Sequence, residues 1–189
     1  ADKNYKLSFQ MFKNGNLLWK KQVSSEIILP LSNNLIVLEK KYDKGFWSYD
    51  VMAPLDGFSL YDLDGNLIKS IKFDDDIKDF RIKKNNEIIF LTGKEVISYN
   101  IKGDEKWRLE IDAASLELDN NNDLILLIKV IAIPQSWELT ILTNDGKKVK
   151  NIRGDGIAPI FSSLQGRLAF REQLNSNYSK WKVRVLNTR

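Results

Sequence analysis

The chain has 189 residues and is 43% hydrophobic, enough to bury a core within one domain spanning 1–189, while its 29 basic and 25 acidic residues leave a formal charge of only +4. It contains neither Cys nor His, which excludes Cys/His metal sites, histidine-based triads, thiol nucleophiles, His-ligated haem and disulfide frameworks. The positive excess is scattered, so no nucleic-acid footprint is expected. No run approaches the roughly 18 apolar residues of a membrane span, so no membrane insertion of this domain is expected either.

Residues 5–13 alternate, with Leu7, Phe9 and Met11 on one face, turn at Asn14-Gly15 and return over 17–23 as a first hairpin. Residues 26–31 and 35–39 are short apolar runs separated by Ser32-Asn33-Asn34, the pattern of strands buried on both faces. A long aromatic-rich connection, 40–56, leads to strands at 58–62 and 67–73 around Asp64-Gly65, a pair that tolerates the positive φ of a hairpin turn. The four-part order then repeats: 77–83, 87–91, 95–99 and 106–111; 114–118, 124–130, 138–142 and 147–152; 156–162, 167–171 and 182–186. No segment carries a helical period, and the chain is expected to be all-β.

The turn glycines Gly15, Gly65, Gly103 and Gly146 are roughly 38 to 50 residues apart, the period of β-propeller blades. The expected architecture is a β-propeller of four-stranded antiparallel blades: four or five of them, or an arc of a larger ring. In a four-blade ring the first hairpin would close against the last unit, whose own turn is replaced by Asn187-Thr188-Arg189.

A Trp four residues after the turn glycine, as in Gly15 to Trp19 and Gly103 to Trp107, resembles the quinoprotein-like (pyrroloquinoline quinone-type repeat) β-propeller family. The resemblance covers nearly the whole chain, but after Gly65 and Gly146 the position holds Lys69 and Lys150. It implies that Trp19 and Trp107 dock blade on blade and are largely buried. The residues that clasp the cofactor in the family's enzymes have no counterpart, which leaves a fragment of a quinoprotein-like dehydrogenase as a remote reading.

Candidate chemistry is sparse. Asp119, Asn121 and Asp123 have the opening spacing of a calcium loop, but Leu124 and Val130 stand where such a loop needs Gly and Glu, so a polar turn is expected. Asp74-Asp75-Asp76 reads as a solvated connection between two units. The basic pairs Lys20-Lys21, Lys40-Lys41, Lys83-Lys84 and Lys147-Lys148 read as surface charge. No catalytic residue, metal site or cofactor is expected.

The connections from the second to the third strand of each unit carry the aromatics: Tyr42, Phe46, Trp47 and Tyr49, then Trp137, then Tyr178 and Trp181. Such residues give large contact area at low entropy cost and build recognition faces. These seven are the candidate partner-binding residues, with Asp74, Asp75, Asp76, Asp112 and Asp155 expected as an acidic border. The expected function is a non-catalytic binding or scaffold module for a protein or cell-envelope partner, with a carbohydrate or small ligand as the alternative. A start at Ala1 fits an export signal removed from a precursor, and a bacterial periplasmic, cell-surface or secreted setting is favoured.

Overall fold

The computed structural model describes residues 7–23, 28–32, 34–40, 55–119, 123–131, 136–156, 160–164, 167–173 and 181–187. They form strands joined by turns, with no helix among the described residues. The chain makes two compact units, Ala1–Ile77 with Tyr99–Glu105, and Lys78–Ser98 with Lys106–Arg189.

The first unit holds the hairpin β1 (Leu7–Lys13) and β2 (Asn16–Val23), a two-stranded sheet of its own. It also holds the sheet β3 (Ile28–Leu31), β4 (Asn34–Lys40), β5 (Leu55–Asp62) and β6 (Leu67–Ile77), antiparallel and paired in chain order. Leu35, Ile36, Val37 and Leu38 are all buried, because an inner strand of such a sheet is covered on both faces. The outer strand β6 alternates between exposed and half-buried residues through Asp74, Asp75 and Asp76 to the buried Ile77, while its pairing with β5 jumps from Lys72–Gly57 to Ile77–Leu55. The triple Asp is therefore strand and not a loop: the alternation that begins at Leu67 carries through it, turning Asp74 and Asp76 outward.

Next in the chain come β7 (Asp79–Ile82), β8 (Ile88–Leu91), β9 (Glu95–Tyr99) and β10 (Glu105–Glu110), a second four-stranded sheet. The second unit continues with β11 (Ser115–Leu118), β12 (Leu124–Ile131), β13 (Ser136–Thr143) and β14 (Lys148–Asp155). Strands β15 (Ile160–Leu164), β16 (Arg167–Gln173) and β17 (Trp181–Asn187) make a three-stranded sheet. Within this unit one core joins Ile89, Leu91 and Val96 to Leu116, Ile125, Leu127 and Leu142, so successive sheets pack face to face.

The turns between third and fourth strands share one construction in three sheets. Gly65 N donates to Asp62 O at 3.1 Å, Gly103 N to Asn100 O at 2.9 Å and Gly146 N to Thr143 O at 3.0 Å. The positive φ falls on the glycine alone, +83, +77 and +79°, and Asp64 and Asp145 do not share it. These are type I turns followed by a left-handed glycine, not the two-residue turns that Asp-Gly suggests. A polar side chain closes each one: Asp62 Oδ1 accepts from Asn66 N at 2.7 Å, Asn100 Oδ1 from Asp104 N at 2.9 Å and Thr143 Oγ1 from Lys147 N at 3.1 Å. The turn of the first hairpin differs from these three, with two residues, Asn14 at φ 51° and Gly15 at φ 80°, between the paired Lys13 and Asn16.

The turn glycines are seats for the preceding outer strand. A Cβ on Gly65 would lie 2.8 Å from Trp19 Cδ2, one on Gly146 2.6 Å from Trp107 Cδ2, and one on Gly103 2.8 Å from Lys69 Cδ. Each indole also donates to a carbonyl of the turn it covers, Trp19 to Leu63 O at 2.7 Å and Trp107 to Asn144 O at 2.9 Å. Lys69 substitutes a stem for a ring and reaches Asp104 Oδ1 at 3.3 Å. Both tryptophans occupy the equivalent positions the repeat implies, yet they are half-buried, not largely buried. A turn at the rim of a sheet covers one side of the ring and leaves the other to water.

Candidate functional site

Of the seven aromatic candidates, Tyr42, Phe46, Trp47, Tyr49 and Tyr178 lie outside the described residues. Trp181 opens β17, paired with Gln173. Trp137 is a correction. It is fully buried among Leu124, Leu126, Ile128, Leu139 and Ile141, with Ile152 against the cluster, and belongs to the core. The cause is strand length: β12 and β13 stay paired out to Ile131 and Ser136, so Trp137 sits opposite Val130 inside the ladder and only residues 132–135 connect the strands. In the first unit β4 ends at Lys40 and β5 starts at Leu55, leaving 41–54 as a far longer connection. Residues 92–94 make the same connection between β8 and β9.

Of the residues expected as an acidic border, Asp112 is held in ion pairs, as are several acids outside that set. Asp112 meets Lys129 Nζ at 2.8 Å and Lys78 Nζ at 3.8 Å, and the Lys129 hydrogen bond holds its carboxyl below the usual range. Asp56 pairs with Lys72 at 2.8 Å. Glu138 accepts from Asn151 and from Arg153 Nε, the latter at 3.0 Å. Arg81 pairs with Asp79, and at 2.9 Å with Glu117; partial burial works against its charge, but the hydrogen bonds and charges of Glu117 and Asp79 together outweigh it and raise the guanidinium pKa. Glu138 and Arg153 are direct partners on β13 and β14, where antiparallel pairing places the side chains of facing residues side by side.

At the opposite turns the chemistry is structural. Asp119 Oδ1 accepts from Asp123 N at 2.6 Å and Leu124 N at 3.0 Å, closing the turn onto β12 with the oxygen that a cation would need. Among the described residues no group of three acidic side chains could hold a metal ion.

Lys83 overturns the surface-charge reading of Lys83-Lys84. It is 3% exposed, and its Nζ lies 2.8 Å from Glu87 Oε2 and donates to Asn144 O at 3.3 Å. Lys106 holds the other Glu87 oxygen. Burial works against the Glu87 carboxylate, but hydrogen bonds from Lys106 and Lys83 outweigh it and hold the pKa below the ordinary value. The signal was present in the sequence as Glu87 four residues after Lys83 across the Asn85-Asn86 turn.

No family model and no curated protein matches the chain. Among solved structures, the crystal structure of BamB from Moraxella catarrhalis aligns with TM-score 0.55 and 10% identity over 96% of this chain and 56% of that one. A crystal structure of the eukaryotic initiation factor aligns with TM-score 0.55 and 12% identity over 82% of this chain and 42% of that one. This chain thus spans little more than half of the first and less than half of the second. At such identities the likeness is one of fold. Together with the four-stranded antiparallel sheets it defines an all-β protein of β-propeller architecture.

Proposed function

We propose that the chain is a non-catalytic binding or scaffold propeller of the pyrroloquinoline quinone-like repeat type, presenting an aromatic loop to a protein or cell-envelope partner. The observation that carries this reading is the 41–54 connection. Three residues suffice to join second and third strands in the β7–β10 sheet, whereas the β3–β6 sheet spends 41–54 on the same step and places Tyr42, Phe46, Trp47 and Tyr49 there. Long loops on a rigid sheet are where binding residues concentrate.

The test is a double substitution, Phe46→Ser with Trp47→Ser, compared with the parent chain in crosslinking and pull-down from bacterial envelope fractions. The expected result is loss of the specifically retained protein from the variant at an unchanged melting temperature. Equal retention by both chains would remove the loop from the proposed site.

A further inference from the structure

The carbonyl one step into each turn between third and fourth strands accepts a side chain from the sheet before it. Leu63 O accepts from the Trp19 indole, Ile101 O from Asn34 Nδ2 at 2.9 Å, and Asn144 O from both the Trp107 indole and Lys83 Nζ. The indole bond recurs, so it cannot tell one turn from another. Neither can the apolar faces, because the core that joins β8 and β9 to β11, β12 and β13 is aliphatic on both sides. Sheets this alike are prone to dock in the wrong order, a failure characteristic of repeat proteins.

The Lys83 bond does distinguish them. Lys83 follows β7 directly, and its amide donates to Glu87 O at 2.8 Å across the turn into β8. Asp119 follows β11 directly, and its amide donates to Leu124 O at 3.1 Å across the turn into β12. The two sheets therefore carry Lys83 with Glu87 and Asp119 with Leu124 at matching places. A lysine donates to a turn carbonyl, whereas a carboxylate only accepts. The β11–β14 sheet, set where the β7–β10 sheet belongs, would put Asp119 where the carbonyl needs a donor.

We propose that Lys83 and Glu87 form a docking key, which selects the β13–β14 turn as the neighbour of the β7–β10 sheet and adds little net stability. Glu87 is what keeps the ammonium charged at that depth: Nζ lies 2.8 Å from Oε2, while the half-exposed Lys106 holds the other oxygen. The desolvation of such a pair offsets most of its attraction. Replacing both partners by apolar side chains therefore leaves stability near where it was, whereas removing one leaves the other buried and unpaired. What the apolar pair lacks is the donor to Asn144 O.

The experiment is refolding of the double variant Lys83→Met with Glu87→Leu beside the parent chain. Both are unfolded in urea, diluted over a series of protein concentrations and compared with their starting material by sedimentation velocity. The variant is expected to keep the parent's urea midpoint. At the highest concentration it should return about twofold less chain than the parent to its starting sedimentation profile, the remainder appearing as larger, mispaired species. A midpoint well below the parent's, or a variant that does not fold, would show the pair to be plain stabilisation and overturn the proposal. Refolding as faithful as the parent's at every concentration would overturn it as well.

Discussion

The indole of Trp107 lies on the Gly146 turn: its ring occupies the space a Cβ would need, and its Nε1 donates to the neighbouring Asn144 carbonyl at 2.9 Å. The glycine is required twice over, for its φ of +79° and for the approach of the ring. Gly146→Ala should therefore cost about 1–3 kcal/mol through backbone strain and a clash together. Trp107→Ala should cost about 2 kcal/mol, less than the roughly 3–5 kcal/mol of a fully buried Trp. Urea unfolding of both variants and their double mutant checks this. Strict additivity would mean the ring and the glycine do not depend on each other.

Trp137 is the contrasting case. Enclosed on every side by Leu124, Leu126, Ile128, Leu139 and Ile141, it should cost about 3–5 kcal/mol as Trp137→Ala. Intrinsic fluorescence of Trp137→Phe should lose the most blue-shifted component of the parent spectrum, whereas removing half-buried Trp19 should not.

Glu87 sets an acid limit. Its carboxyl is held below the ordinary value, near 4.3 in an unfolded chain, so its contribution is fully present above that pH and is lost as pH falls through the lower folded value. Glu87→Gln leaves Lys83 buried and without its carboxylate, and should cost about 3 kcal/mol at pH 7. The gap between the parent and Glu87→Gln melting temperatures should narrow as pH drops from 5 toward 3. A gap that stays constant would mean that Glu87 does not titrate differently on folding.

Asp119 closes a turn with backbone amides. Asp119→Ala should cost about 1–2 kcal/mol, in the range of a lost cap, and melting curves of the parent with and without EDTA should superpose. A fall of several degrees with chelator would return the 119–123 segment to the calcium reading.

The architecture was legible in the sequence because two signals repeat together: apolar runs the length of a buried strand, and a glycine turn after each third strand. Gly103 and Trp107 recur at the spacing of Gly15 and Trp19, and their docking was what the resemblance carried by that spacing implies. Depth did not follow. Whether an indole on a turn is enclosed depends on how far the turn stands from the sheet's centre, which no local pattern encodes. Lys83 and Trp137 were misread for a related reason. Each was judged from its neighbours in sequence, a second lysine in one case and an expected loop in the other, while Lys83 was buried by its contacts with Glu87 and Asn144 and Trp137 by strands that pair farther than expected. The pairing of Asp112 was equally out of reach, since Lys129 stands on β12, well away from it in sequence.

The seats also have a direction in time. Trp19 rests on Gly65, Lys69 on Gly103 and Trp107 on Gly146, so the outer strands β2, β6 and β10 are each covered by a turn made later in the chain. During synthesis each sheet emerges before the glycine that will receive it, and a stalled ribosome would leave the most recent outer strand with its Trp or Lys bare. Translation thus proceeds with one unsatisfied edge that moves along the chain, and a pause placed just after each turn glycine would let that edge close before the next one is exposed.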